Sequence, residues 1–232
     1  MHLAARLIML RSLPFFGGLP EDRLTRMAQE AVVTHYAPGA LIASRDQAAE
    51  ALLLVASGQV KLYRMGPDGR EQTLYMLGQG EPFCLCALVE AGEWPVFAAA
   101  LTEVQVLTFP AAGLAAAARQ DPEVLFDLLR LMCRRLKDAM AMIESLALRD
   151  LPGRVAVFLL HEAARLPAGG DTFVLTISQR EVAKIVGATP EGLSRALRRL
   201  EQAGLVAVRG RDVELLDREG LALEAGGFSD GD

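Results

Sequence analysis

The residues with the clearest chemistry lie on one short basic segment, 190–199. Arg195 can donate two hydrogen bonds to guanine, and Glu191 can accept one from the amino group of cytosine. Ser194 is short enough to let a helix lie deep in a groove, against a thymine or adenine edge. The spacing therefore predicts a helix face that reads bases. Other polar residues are expected to contact phosphates and position the helix: Gln179, Thr189, Arg198 and Arg199.

Two capped helices separated by a glycine turn are predicted to present these residues. Ser178 is a good N-cap with Glu181 three residues on, and Gly187 permits the tight turn that ends the first helix. Thr189 followed by Pro190 is a second start signal. This helix-turn-helix suits the major groove of DNA, whereas the alternative is a helical hairpin with a solvated basic face. The buried side of the second helix is apolar: Leu193, Ala196, Leu197 and Leu200.

Charge is distributed unevenly along the chain. The 232 residues carry a formal net charge of −5, which argues against a surface that coats nucleic acid everywhere. Residues 176–211 hold seven basic and three acidic side chains, a local charge of +4, so that the rest of the chain carries −9. A small positive patch on an acidic body predicts contact with double-stranded DNA at one end.

Composition limits the class of protein and its location. The length of 232 residues suggests two domains with separate cores. Three cysteines do not make a disulfide framework, no apolar run is long enough to span a membrane, and Arg6 and Arg11 argue against a signal peptide. No nucleophile, base or metal set converges, so we expect a cytoplasmic, non-enzymatic protein. A ligand-binding dimerisation module without DNA is the alternative, but it leaves Arg195 without a role.

Between residues 34 and 109, short apolar runs alternate with turn residues. Many short strands at this spacing favour an antiparallel sandwich or barrel over a βαβ sheet. The interior of such a roll either holds a ligand or is filled with side chains. The predicted strands are Leu52–Val55, Gln59–Met65, Gln72–Leu77, Phe97–Leu101 and Val104–Phe109.

A long helix is predicted to open at Asp121-Pro122 and to end in a hinge at residues 149–153. Its apolar residues alternate at spacings of three and four, which is the seam of a coiled coil about three heptads long. A homodimer would place two reading helices about 34 Å apart and match a palindromic site. A helix buried within one domain is the alternative. The seam residues are Leu129, Met132, Leu136, Ala139, Ile143 and Leu146.

The chain resembles the CRP/FNR superfamily of bacterial transcription regulators from about residue 15 to residue 221. The helix-turn-helix carries part of this resemblance. The remainder rests on three motifs: SGQVKLYRMGPDGRE (57–71), DLPGRVAVFLL (150–160) and GLVAVRGRDVELLDREGL (204–221).

The resemblance implies an α+β fold with three parts. These are an N-terminal double-stranded β-helix (jelly-roll) sensor domain over residues 1–120, a dimerisation helix over 121–149 and a C-terminal winged helix-turn-helix domain over 150–232. RNA polymerase is implied as a further partner. Glu191, Ser194 and Arg195 are similar to the FNR-type reading set E-x-x-S-R, which implies a TTGA-like half-site.

The resemblance leaves the effector open. Where cyclic-nucleotide-binding members supply a glutamate and an Arg-Ser pair, this chain has Leu85, Pro95 and Val96. Burying a phosphate there without a cation or hydroxyl is very unfavourable, so cyclic AMP is not expected. An iron–sulfur cluster is not expected either, because no N-terminal cysteine cluster is present to hold one.

Two cysteines lie at the position of a gas-sensing motif. Phe83-Cys84-Leu85-Cys86 stands where haem members that sense carbon monoxide have Phe-Cys-x-His, and the cassette also resembles a nitric-oxide-sensing branch. Cys84 is thus either an axial thiolate for a haem, half of a redox-sensitive dithiol with Cys86, or a small buried hydrophobe like its neighbour. His35 is a further candidate for contact with an effector or cofactor.

Overall fold

The structure, a computed structural model, describes residues 1–13, 16, 18–44, 51–88, 95–166 and 170–226. They divide into two compact units. The first contains residues 1–65 and 74–138, and the second contains residues 66–73 and 139–232. Across these described ranges, no helix is long and apolar enough to cross a membrane.

Among the described residues, two helices precede the strands of the first unit, α1 (Leu3–Arg11) and α2 (Glu21–Glu30). Glu21 and Asp22 lie in the first turn of α2, where a carboxylate interacts favourably with the positive end of the helix dipole. The Arg6 guanidinium of α1 donates to the carbonyls of Ala28 and Ala31 at 3.2 and 2.8 Å. These bonds satisfy carbonyls at the end of α2 and fix the two helices together.

The first unit contains two four-stranded sheets in the orders β1-β8-β3-β6 and β2-β7-β4-β5. The recorded strand pairings are antiparallel, and this architecture confirms the predicted roll. The strands are β1 (Val32–Tyr36), β2 (Leu41–Ala43), β3 (Ala51–Ser57), β4 (Val60–Met65), β5 (Glu71–Leu77), β6 (Pro82–Phe83), β7 (Phe97–Ala100) and β8 (Val104–Pro110).

Each predicted strand matches an observed one to within two residues at either end. Three further strands, β1, β2 and β6, were missed. The last two contain only three and two residues, too few to display the alternation that identifies a strand.

Both faces of the first sheet are buried, because alternate residues of its strands enter different apolar clusters. Val104 and Val106 of β8 pack with Val55 and Phe83, whereas Leu107 and Phe109 pack with residues of α1 and α2. Full burial of an aliphatic or aromatic side chain contributes about 1.5–3 kcal/mol, so these two clusters hold the roll in shape.

A 3-10 turn (Leu85–Leu88) lies between β6 and β7, and the strands are followed by α3 (Ala111–Gln120) and the long helix α4 (Pro122–Leu148). Helix α4 begins and ends where the sequence predicts. Val124 and Leu131 are buried, whereas the predicted seam residues face solvent in the single chain. The helix therefore has one face in the core and one apolar face that the described residues leave exposed.

The second unit has the winged-helix arrangement that the sequence predicts. Asp150 accepts a hydrogen bond from the Gly153 amide and caps α5 (Leu151–Ala164). A three-stranded sheet with the order β10-β11-β9 forms the wing. The remaining elements are β9 (Thr172–Val174), α6 (Gln179–Ile185), α7 (Pro190–Gln202), β10 (Val206–Arg209), β11 (Asp212–Leu215) and α8 (Arg218–Glu224).

Candidate nucleic-acid interface

Side-chain caps define the start of both helices of the helix-turn-helix. Ser178 Oγ accepts from the Glu181 amide at 3.3 Å, and Thr189 Oγ1 accepts from the Gly192 amide at 3.1 Å. Pro190 occupies the first helical position of α7, where a missing amide hydrogen has no consequence. These local signals set α6 and α7 where the sequence places them.

The turn between α6 and α7 depends on Gly187. Its φ of +66° lies in the left-handed region that favours glycine. A Cβ atom at this position would also meet the Leu146 Cδ2 atom at 3.0 Å and the Gln72 Oε1 atom at 3.1 Å. The backbone conformation therefore favours glycine here, and a Cβ atom would displace the ends of these two side chains by a few tenths of an ångström.

Helix α7 separates its two faces sharply. Its apolar residues, together with Gly192, are buried in the second unit, whereas Glu191 and Arg195 are exposed and Ser194 is half-buried. Residues 191, 194 and 195 lie on one face because they are separated by one helical turn. The predicted base-reading residues thus share the solvent face in the first two turns of α7.

The four residues predicted to contact phosphates lie in different surroundings. Thr189 forms the cap, and Arg198 is exposed on α7. Gln179 at the start of α6 donates to the Gly210 carbonyl at 3.0 Å. That bond ties the first helix to the tip of the wing.

Arg199 is engaged inside the domain. Its guanidinium lies 3.4 Å from the Asp150 carboxylate and 3.2 Å from the Glu224 carboxylate. The arginine thereby joins α7 to the cap of α5 and to α8. Its contact with a phosphate stays a prediction, and the ion pairs give it a second role that the sequence did not reveal.

Arg209 and Arg211 of the wing were absent from the predicted site. They flank Gly210, whose φ is +68°, and both are exposed at the tip of the β10–β11 hairpin. The local excess of basic residues already included them, and that excess is the sequence signal that could have added the wing to the interface.

In the roll, Cys84 has the geometry of a packing residue. It is 7% exposed, and burial, followed by the influence of Cys86, raises the pKa of its thiol well above the ordinary value. Its φ of +68° is the left-handed conformation, which costs a non-glycine residue about 1–2 kcal/mol. Because a metal ligand must be the thiolate, this environment does not favour haem ligation by Cys84.

Of the other candidates for effector contact, Cys86 lies beside this buried thiol, whereas His35 lies on a separate strand. Cys86 is half-buried in the 3-10 turn, and His35 is exposed on β1 opposite Gln105. Within the described part of the chain, no group of three or more histidine, cysteine or acidic residues could hold a metal ion.

The three cassette positions compared with cyclic-nucleotide-binding members, Leu85, Pro95 and Val96, have uncharged side chains. Leu85 is 9% exposed and packs in the apolar cluster shared with α1 and α2. The carbonyl of Pro95 accepts a hydrogen bond from Arg64, and Val96 packs beside the core of the roll.

A polar cluster joins α4 to the end of β5 within the first unit. Tyr75 donates to the Asp138 carboxylate at 3.0 Å, and the Arg135 guanidinium lies 5.5 Å from the centre of the Tyr75 ring. Arg135 also donates to the Pro82 carbonyl. Burial raises the pKa of Tyr75 to about 12, and the Glu81 charge and the Asp138 hydrogen bond add to this effect. Tyr75 therefore keeps its proton, and with it this hydrogen bond, across the physiological pH range.

A capped helix-turn-helix with a basic wing and an exposed reading face defines a winged-helix DNA-binding domain. The family model of the Crp-like helix-turn-helix domain matches residues 153–223, and that of the cyclic nucleotide-binding domain matches residues 33–121. The chain belongs to the CRP/FNR family of transcription regulators.

Individual relatives agree with this assignment. Cyclic AMP receptor protein of Thermus thermophilus is 31% identical over 215 residues, 93% of this chain and 97% of that protein. Transcriptional activator protein anr of Pseudomonas aeruginosa is 32% identical over 182 residues, 76% of this chain and 73% of that protein. The structure of FixK2 from Bradyrhizobium japonicum matches with a TM-score of 0.73 and 28% identity, covering 83% of this chain and 96% of that chain. The Pseudomonas relative is named a transcriptional activator protein.

Proposed function

We propose that this protein is a dimeric, effector-responsive transcription regulator that reads a TTGA-like palindrome. The observation that carries the proposal is the reading face of α7. Glu191 and Arg195 are exposed on it, while the opposite face is buried against the rest of the domain. An orientation of this kind lets the helix enter a major groove without exposing apolar residues.

Base chemistry supports the choice of half-site. The Arg195 guanidinium matches the two acceptors of guanine, and the Glu191 carboxylate matches the amino group of cytosine on the same base pair or the next. Ser194 contacts the thymine or adenine edge beside them. Gln179, Thr189, Arg198 and Arg199 contact phosphates, and these contacts set the register of the helix.

Helix α4 supports a dimer. Leu136 is 59% exposed and Ile143 is 66% exposed in the single chain, and Leu129, Met132 and Leu146 continue the same face. An exposed apolar stripe at alternating spacings of three and four residues is the surface that a parallel partner helix covers. Two symmetry-related reading helices then match the two halves of a palindrome.

The roll is the sensing part, and its contacts with α4 give an effector a route to the dimer helix. Arg135 of α4 lies over the Tyr75 ring of β5 and donates to the carbonyl of Pro82, two residues before Cys84. A change in the roll therefore alters the position of that helix. Cyclic AMP is not the proposed effector, although one relative is named a cyclic AMP receptor protein. Leu85, Pro95 and Val96 offer its phosphate no cation or hydroxyl.

RNA polymerase is the second proposed partner, and the cytoplasm is the proposed location, as regulation of transcription requires. The test is a binding titration of the full chain against a 30-base-pair duplex with a TTGA palindrome and a scrambled duplex of equal composition. We expect about 10³-fold or greater preference for the palindrome, the lower range of specific over non-specific binding. Equal affinity for the two duplexes contradicts the proposal.

A further inference from the structure

The first residues of β5 pack against the first helix of the helix-turn-helix. Residues 66–73 belong to the same compact unit as the DNA-binding domain. Glu71 Oε2 lies 2.5 Å from Lys184 Nζ, and Glu181 Oε1 lies 2.8 Å from the same nitrogen. The three side chains are between 18% and 24% exposed. One cation is thus enclosed by two carboxylates that come from distant parts of the chain.

A second contact reinforces the first. Gln72 Nε2 donates to the Ile185 carbonyl at 3.2 Å. Ile185 is the last residue of α6, and the carbonyls of the last helical turn have no partner within their own helix. The Gln72 Oε1 atom also lies beside Gly187, 3.1 Å from the position that a Cβ atom would take there. The start of β5 therefore supports the end of α6 and the start of the glycine turn.

Lys184 keeps its positive charge in this cluster because the two carboxylates stabilise it. Burial lowers the pKa of Lys184, but the hydrogen bonds and charges of Glu181 and Glu71 outweigh that effect and raise it to about 12. A lysine held by two carboxylates is not available to a phosphate without loss of those contacts. The cluster therefore acts on the helix rather than on DNA.

We propose that Glu71 is a positioning residue for DNA recognition: through Lys184 it fixes α6, and α6 with the Gly187 turn fixes the angle of the reading helix. This inference rests on the proposed reading of the palindrome. It assigns a role in DNA binding to a residue that lies about 120 positions from Arg195 in the sequence and, being half-buried in the cluster, contacts no base.

The test compares Glu71→Lys with Asp68→Lys. Both substitutions change the charge of the segment of residues 66–73 by +2, but the Asp68 carboxylate binds Arg70 instead of Lys184. Added positive charge alone strengthens DNA binding. We expect Glu71→Lys to weaken binding to the palindrome about tenfold, as one displaced interaction of ordinary size does, while Asp68→Lys binds as tightly as the wild type or more tightly.

Exchanging the charges of Glu71 and Lys184 tests whether the contact between them is what matters. In the double variant Glu71→Lys, Lys184→Glu, a lysine again lies between two carboxylates, so palindrome affinity should return to within about threefold of the wild type, an error normal for such cycles. If Lys184 instead contacts a phosphate, Lys184→Glu and the double variant are both weak, and the proposal is overturned. Equal binding by Glu71→Lys and Asp68→Lys overturns it as well.

Hydrogen exchange of the free protein separates this proposal from the proposed function. The amides of residues 182–188 should exchange faster in Glu71→Lys than in Asp68→Lys, and the charge exchange should restore their protection. Unchanged protection contradicts the positioning role even if the wild type binds the palindrome. If the wild type shows no preference for the palindrome, the proposed function is contradicted. The hydrogen-exchange data alone then decide whether Glu71 fixes α6.

Discussion

The helix-turn-helix and the β-roll use their polar and apolar residues in opposite ways. On α7, polar residues face solvent and the apolar side anchors the helix, so the chemistry is displayed. In the roll, the positions that could hold a ligand are occupied by packed side chains such as Phe83, Cys84 and Leu85. We therefore expect the first region to act through the groups that it presents, and the second to act through changes in packing.

The greatest loss of DNA binding should come from a variant of α4, the helix that lies between these two regions in the sequence. Leu136→Glu places a charge on the seam of α4, where it would be desolvated against its symmetry mate. We expect a monomer in sedimentation and a loss of palindrome affinity of at least about a hundredfold, since the two half-sites are then no longer bound together.

Leu148→Glu is the matched control for that variant. Leu148 is also an exposed leucine of α4, at 79%, but it lies off the seam. This variant should remain dimeric and bind the palindrome normally. A Leu136→Glu protein that stays dimeric, or binds the palindrome tightly as a monomer, rules out the proposed coiled coil.

A smaller effect distinguishes two neighbouring arginines of α7. Arg198 is exposed, so Arg198→Ala should weaken binding to all sequences alike and reduce the slope of log affinity against log salt by about 1. Arg199 contacts Asp150 and Glu224, so Arg199→Ala should in addition lower the free energy of unfolding by about 0.5 kcal/mol, as exposed ion pairs do. Thermal unfolding and salt titrations measure both. Identical behaviour of the two variants would show that the ion pairs of Arg199 are unimportant.

The sequence predicts the helix-turn-helix well because its signals are local. Ser178, Thr189 with Pro190, and Gly187 each determine the conformation of the residues beside them. The short strands β2 and β6 escaped prediction because so few residues show no periodicity. The contact of Gln72 with Ile185 could not be predicted either, since it joins residues 113 positions apart and follows from the tertiary fold alone.

The smallest expected effects concern the roll. Cyclic AMP should produce no heat of binding at micromolar concentration and no change in DNA affinity. The side chains of Pro95 and Val96 supply no cation or hydroxyl for its phosphate, and the nearby Arg64 guanidinium already donates to the Pro95 carbonyl. Calorimetry is the measurement, and micromolar binding would contradict the interpretation of the cassette.

The buried thiol of the roll can be compared with the exposed Cys133 on α4. Because the pKa of Cys84 is raised, its thiol should react with iodoacetamide at pH 8 at least about tenfold more slowly than the exposed Cys133, as mass spectrometry can measure. DNA affinity of the double variant Cys84→Ala, Cys86→Ala should respond to oxidation, carbon monoxide and nitric oxide as the wild type does. Loss of a response in that variant would give the thiols a sensing role.

Arg195 is proposed to read the guanine of the half-site, and a double-mutant cycle that changes both this residue and the G·C pair is the strongest test. Wild-type protein and Arg195→Ala are titrated against the TTGA palindrome and against a duplex with its two G·C pairs replaced by A·T. The wild type should lose about 1–3 kcal/mol per half-site on the altered duplex, while Arg195→Ala should bind both duplexes equally and retain weak non-specific binding. If Arg195→Ala still discriminates between the duplexes as strongly as the wild type, another residue reads the guanine and the account is wrong.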